Sequence, residues 1–488
     1  MSLLMQRLYT YFKPGYIVTF CVLLFTGYFS FLSLSRHDNF YSRRLDLGNM
    51  DQTVWNVANG NGFTLTDPMG ESQQSRLAIH ADFLLILLAP FYFVWSDPRL
   101  LLLIQVVFTA VGAFPVYWLA CRVNKSKWIP VLFAAGYLLY PPLNRVMLHD
   151  FHAVVLSTSF LLFAFWFLET KKYPLFIIFA LLAGLGKEDV WLVISLLGVY
   201  LIVQKKQYLL GSLVAIASFA VFYYLFWIAI PAVAPANQHF ALSYLSDFGT
   251  NQNGILKNIL MNPLSVLATL FKTDRLMYYF QLLAPFTFLS LFSPITLLLG
   301  LPSLLINSLS NNPMLRQIDY QYTATITPFV CISAVYGFNV FQEWLRKYFQ
   351  NIHFKHAKIF PIYLLVFSTL ISVYFWGQMP IGKSQWFWFF IRPLPEKQIM
   401  KEVEAQIGSS YSVSATNNIG SHFSQRKYLY NFPIRAQEAD FTVVYLGDPY
   451  AWPGGPEQQQ MVDRMLKDPN YGIIASEGNF FAFRRIGL

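Results

Sequence analysis

Apolar runs of membrane-spanning length, parted by short polar turns, recur along the chain as far as residue 391. Residues 17–34 contain no Asp, Glu, Lys, Arg or His, and about 20 apolar residues suffice to cross a hydrocarbon core. This run reads as a retained first span: Arg7 and Lys13 precede it, and no small-residue cleavage site separates it from Ser35, Arg36, His37 and Asp38. Residues 80–95 contain Asp82 and Pro90 and are short, so they predict a helix lying at the outer interface. Residues 100–121 lead into Arg122, Lys125 and Lys127, which makes them the second span with a basic cytoplasmic end. Further spans are expected at 128–146, 153–169, 173–186, 190–204 and 208–231, which puts Lys171, Lys172, Lys205 and Lys206 inside. An outer loop at 232–275, two short spans bent near Pro294, a span at 323–341, a basic loop at 346–358 and a last span at 359–377 complete the pattern.

From residue 392 the alternation changes. Short strand-like runs at 412–416, 441–446, 471–475 and 480–485 interleave with helical stretches at 396–407 and 457–467, the signature of a small α/β domain. The predicted fold class is mainly α: a polytopic α-helical membrane protein of about 11 spans followed by a small C-terminal α/β extracytoplasmic domain. The expected boundaries are 1–391 for the transmembrane domain, with an outer loop at 35–99, and 392–488 for the terminal domain. The N-terminus is expected inside and the terminal domain outside.

Composition agrees with the pattern. Hydrophobic residues make up 55% of the chain and charged ones 12%, too little ionic surface for a soluble protein of this length. The formal charge of +10 follows from the excess of Lys and Arg in cytoplasmic turns and needs no nucleic acid partner. Cys21, Cys121 and Cys331 all fall in apolar runs, which leaves the polar segments without a disulfide. The cluster Trp386, Phe387, Trp388, Phe389 and Phe390 reads as a membrane-surface belt.

Ionisable groups near a bilayer are costly unless they face a cavity or a partner, so their positions carry the functional signal. In this topology Asp46, Asp51, His80, Asp82, His149, Asp150, His152, Lys187, Glu188 and Asp189 all fall at the outer edge. Four segments distant in sequence thus deliver acids, imidazoles and an ammonium to one face. A carboxylate beside an imidazole can take a proton from a hydroxyl. Lys187, with Arg43, Arg44 and Arg76, could hold a phosphate. Asp46 and Asp51 are five residues apart, about 140° on a helix, so both need not face one substrate. No metal site is assigned; the spacing of His149, Asp150 and His152 leaves a divalent ion open. Each group also has a structural reading: Asp46 as a turn residue near Gly48, His80 and Asp82 as anchors of an interfacial helix, 149–152 as a solvated turn, and 187–189 as charges pairing among themselves.

At these residues the sequence resembles the domain of unknown function 2079 family of polytopic prokaryotic membrane proteins. The matching stretches are LDLGNMDQTVWN (45–56), HADFLLILLAPFY (80–92), HDFH (149–152), KED (187–189), DYQYTATITPF (319–329) and SVSATNNIGSHFSQRKYLY (412–430). More distantly the layout is similar to GT-C glycosyltransferases, with Asp46 in the place of their catalytic acid after the first span and His80 opening the segment that resembles their interfacial helix. That resemblance implies residence in the cytoplasmic membrane and sugar transfer, with inversion, from a polyprenyl-phosphate donor to an acceptor at the outer face. It would make Asp46 the base with Asp51 shaping or sharing the site. Lys187 and His80 would lie at the lipid phosphate, His149, Asp150 and His152 would line the donor pocket, and Asp82, Glu188 and Asp189 would stand among the substrate-binding groups. The cofactor stays unassigned, with none or a divalent metal both open. The sequence departs from the common paired-acid motif, since Leu47 follows Asp46. Two rival classes remain at this point: a transporter or flippase using the same groups as a substrate path, and a noncatalytic envelope protein.

Overall fold

The computed structural model describes residues 13–249, 251–348, 354–383, 385, 387–448, 451 and 454–486. Arg7, Trp386 and positions 349–353 of the expected basic loop lie outside them. Among the described residues four helices are long and apolar enough to cross a membrane: Pro14–Asp38, Pro98–Val123, Tyr208–Val233 and Ile359–Trp376. Six shorter apolar helices accompany them, so length and composition qualify four helices where the sequence pattern suggests about 11 spans.

The first helix shows why the pattern is legible. Val18, Val22, Phe25, Phe29 and Leu32 are buried at steps of three and four residues, while Tyr16, Phe20, Leu23, Leu24 and Phe31 are exposed. One stripe packs inward and the other face, equally apolar, suits lipid rather than water. Elsewhere element ends match closely, as in Ala153–Glu169, Tyr173–Gly184 and Val190–Lys205. The run expected at 128–146 is instead two helices, Ile129–Leu138 and Pro141–Met147. Tyr140 is extended before Pro141, because a proline disfavours the helical conformation in its predecessor. The expected outer loop at 232–275 is also corrected: it contains helices Gln252–Met261 and Pro263–Leu270 and a 3-10 stretch Phe240–Phe248.

By contacts the chain forms two compact units. The helical unit comprises Met1–Phe29, Val106–His149 and Val154–Gln385; the mixed unit comprises Ser30–Gln105, Asp150–Ala153 and Trp386–Leu488. In the helical unit, Val190–Lys205 lies directly against Tyr208–Tyr224: a Cβ on Gly198 would come within 2.4 Å of the Ala215 nitrogen. Small residues here let two backbones touch, the usual device of helix pairs in membranes.

The mixed unit carries a hairpin, β1 (Thr64–Thr66) and β2 (Gln73–Ser75), and a five-stranded sheet. The sheet contains β3 (Val413–Ala415), β4 (Leu429–Asn431), β5 (Phe441–Tyr445), β6 (Tyr471–Glu477) and β7 (Phe480–Arg485) in the order β4-β3-β5-β7-β6. β3 runs parallel to β4 and β5, while β7 is antiparallel to β5 and β6. Successive residues of the central strand point to opposite faces: Val443 packs with Met400 and Val403 of helix Lys397–Gln406, and Val444 with Val462 and Met465 of helix Gly455–Met465. A sheet covered on both faces needs a strand buried on both, and all five residues of β5 are buried.

Candidate functional site

The chain leaving the first helix is anchored at Asp38, whose carboxylate pairs with Lys397 at 2.5 Å and Lys401 at 2.6 Å. It then forms a π-helical turn, Arg44–Gly48, that runs into helix Asn49–Ala58. Arg43, the residue before the turn, makes no side-chain cap; partners distant in sequence hold the turn. The Arg44 and Leu45 amides donate to the Asn417 carbonyl (2.6 Å) and Asn417 Oδ1 (2.9 Å). The buried Arg44 guanidinium donates to Asn49 Oδ1 (2.9 Å) and to the carbonyls of Thr66 (3.1 Å) and Leu429 (2.7 Å). Burial pulls the Arg44 pKa down to about 10, against the charge of Asp67.

This turn presents Asp46, whose side chain is 24% exposed and lies 3.4 Å from His152 Nε2. His152 Nδ1 is 3.0 Å from the Asp150 carbonyl oxygen, which can only accept, so the proton is assigned to Nδ1. The Nε2 lone pair of a neutral ring therefore faces a carboxylate oxygen. A proton between these two acceptors turns repulsion into attraction, and a donated hydroxyl proton could supply it. The His152 amide donates to Gln105 Oε1 at 2.9 Å. The Asp150 carboxylate, buried, takes an ion pair from Arg36 and the Arg43 amide at 2.9 Å.

Asp51 faces elsewhere. Its buried carboxylate accepts from the Tyr92 hydroxyl (2.5 Å), the Ser424 hydroxyl (2.6 Å) and Gln425 Nε2 (3.2 Å). Burial pushes its pKa up to about 6, the three hydrogen bonds opposing the shift and the charge of Asp97 adding to it. Asp82 is held by both forks of buried Arg76, at 3.0 and 2.6 Å. His80 follows on the same turn, its amide donating to the Arg76 carbonyl at 3.2 Å. A cavity of about 480 Å³ in the same unit is lined by Arg99, Lys401, His422, Asp97, Glu404 and Gln425 among others. Arg99 pairs with Asp97 at 2.5 Å and Lys401 with Asp38 at 2.6 Å, and the His422 ring lies 3.1 Å from Glu404.

The other sequence-derived residues lie in the helical unit. The His149 ring meets Tyr320 edge-on at 5.0 Å. Lys187 Nζ is 3.5 Å from Asp189. Glu188 and His239 are buried together at 3.1 Å; since His239 Nδ1 accepts the Ala241 amide, its Nε2–H donates to Glu188. Of the ten residues read from sequence, Asp46, Asp51, His80, Asp82, Asp150 and His152 thus share one unit, and His149, Lys187, Glu188 and Asp189 share the other. Sequence reasoning missed Arg36, Gln105, Tyr92, Ser424 and Gln425. Tyr92 closes the stretch 80–92 and the last two fall inside 412–430, both marked by resemblance, but nothing in a linear pattern ties them to Asp51.

A family model described as predicted membrane protein (DUF2079) matches residues 36–480; the chain belongs to that family. No curated protein matches the sequence. Similar solved structures include ArnT from Cupriavidus metallidurans, bound to undecaprenyl phosphate and in the apo state. Each has a TM-score of 0.47 and 10% identity, covering 95% of this chain and 97% or 98% of the other. At that distance the likeness assigns neither an activity nor residue roles.

Proposed function

We propose that this member of the DUF2079 family is an integral membrane glycosyltransferase that moves a sugar from a polyprenyl-phosphate donor to an acceptor hydroxyl at the outer membrane face. The observation that carries the reading is the Asp46 carboxylate, partly exposed and 3.4 Å from His152 Nε2, on a turn that directly follows the first apolar helix. The donor class is the one the sequence resemblance implies. In the reaction Asp46 takes the acceptor hydroxyl proton as the oxygen attacks the anomeric carbon from the side opposite the phosphate. The anomeric carbon–phosphate oxygen bond breaks, polyprenyl phosphate leaves, and the new glycosidic bond has inverted configuration. His152 shares the proton arriving at Asp46. Asp150, Asp51 and Asp82, whose carboxylates are engaged by Arg36, by Tyr92, Ser424 and Gln425, and by Arg76, are positioning residues. The reading keeps the N-terminus inside and residues 392–488 outside.

The test follows lipid-linked sugars, extracted from host membranes, by mass spectrometry during incubation with the purified full-length protein. Asp46→Asn is expected to slow their consumption by about 10²- to 10⁴-fold, the usual worth of a general base, with an unchanged melting profile. Undiminished turnover removes Asp46 as base, and no consumption by the unaltered protein overturns the transferase reading.

A further inference from the structure

Where the helix Pro14–Asp38 begins and the helix Pro98–Val123 ends, the helical unit opens a cavity of about 720 Å³. Its charged lining consists of Lys13, Lys125 and Lys127, with no Asp or Glu. Among the described residues none of the three lysines has an acidic partner. Tyr16, Tyr117 and Trp118 supply aromatic wall.

We propose that this cavity binds the phosphodiester headgroup of an anionic membrane phospholipid. The positive-inside tendency explains the sign of the charges at this end of two spans, but not their convergence on one cavity without a counter-ion. Three ammoniums sharing a concave site repel one another, and an oxyanion between them converts that repulsion to attraction. Tyr and Trp are the side chains that sit at headgroup depth, apolar body toward the chains and polar tip toward water. A free phosphate has the same oxyanion chemistry. The surroundings favour a lipid, because the first helix continues from the cavity with Phe20, Leu23 and Leu24 exposed on its outer side, an apolar face along which acyl chains can lie. The proposal rests on these helices crossing a membrane and is independent of the transferase reading.

The full-length protein is purified in mild detergent and offered phosphatidylglycerol, phosphatidylcholine or inorganic phosphate, with retained lipid counted by native mass spectrometry. The expected result is preferential retention of phosphatidylglycerol, lowered at least tenfold in the combined variant Lys13→Gln, Lys125→Gln, Lys127→Gln and unaffected by millimolar phosphate. The pair Lys171→Gln, Lys172→Gln, at another basic turn, is the control expected to keep the preference. Equal loss in both variants, or no loss in the first, overturns the site; displacement by phosphate assigns it to the free ion instead and overturns the lipid. Should the triple variant not fold, the unaltered protein decides. In bilayers containing phosphatidylglycerol, acetylation of Lys13, Lys125 and Lys127 is expected to slow several-fold relative to phosphatidylcholine bilayers, with Lys171 and Lys172 changing less. Equal rates in the two bilayers overturn the proposal.

Discussion

At the residue scale, Asp51 shows what burial does to a single carboxyl. Its pKa rises from the ordinary carboxylate range to about 6, burial being the largest cause. The sign follows from which state holds the proton. Between pH 4 and 6 the folded chain retains a proton that the unfolded chain has released, so the stabilisation is complete below about pH 4 and is lost as pH rises through 6. That rise corresponds to about 3 kcal/mol between the two protonation states. Asp51→Asn, neutral throughout, is expected to remove this dependence: the difference in melting temperature between wild type and variant, by scanning fluorimetry, should change progressively from pH 4 to 7. A constant difference over that range refutes a buried, shifted Asp51. The same residue marks what the sequence could tell. Its segment was visible as a polar island in an apolar chain, because charge near a bilayer needs a reason. Its partners Ser424 and Gln425 were not, because hydrogen bonds between residues more than 370 positions apart leave no periodicity to read.

At the scale of elements, the turn that carries Asp46 depends on how closely another turn approaches it. A Cβ on Gly420 would fall 2.5 Å from the Arg44 Cβ, so only glycine lets the 3-10 turn Gly420–Phe423 lie against Arg44–Gly48. Gly420→Ala is expected to cost about 1–3 kcal/mol, as overpacking does, and to speed hydrogen exchange at the Arg44 and Leu45 amides that donate to Asn417. Gly455→Ala, where a Cβ meets nothing within 4 Å, should leave both unchanged; matching behaviour of the two variants would count against the close approach. Elements with a clean period were legible. Strands expected at 441–446 and 480–485 are observed as Phe441–Tyr445 and Phe480–Arg485, since alternate faces each meet a helix. β4, Leu429–Asn431, is as short as β3 but carries no β-branched residue, where β3 has Val413 and runs into Thr416, so it was missed. The helices between 232 and 275 were missed for a different reason: Asn251 and Asn262, which read as loop residues, sit at the helix ends, the Asn251 side chain accepting from the Gly254 amide.

At the scale of the whole molecule, the placement of the terminal domain decides whether Asp46 can act on an extracytoplasmic acceptor. The outward faces of the long helices favour a lipid environment: Leu209, Leu213 and Ile216 on one, and Tyr363, Phe367 and Leu370 on another, are each more than half exposed, too much apolar surface to leave in water. Sidedness can be read with one introduced thiol at a time, after Cys21, Cys121 and Cys331 are replaced by alanine. Lys467, exposed on the helical turn after Gly455–Met465, and Lys127, in the basic turn after the second long helix, lie on opposite sides in the proposed topology. A membrane-impermeant maleimide should label Lys467→Cys in intact spheroplasts and Lys127→Cys only after the membrane is opened. Asp38 ties the exit of the first helix to Lys397 and Lys401 of the terminal segment, so the turn bearing Asp46 must lie on the side where residues 392–488 lie. Labelling of Lys127→Cys from outside, with Lys467→Cys protected, would therefore put that turn in the cytoplasm and remove the outer face as the place of transfer.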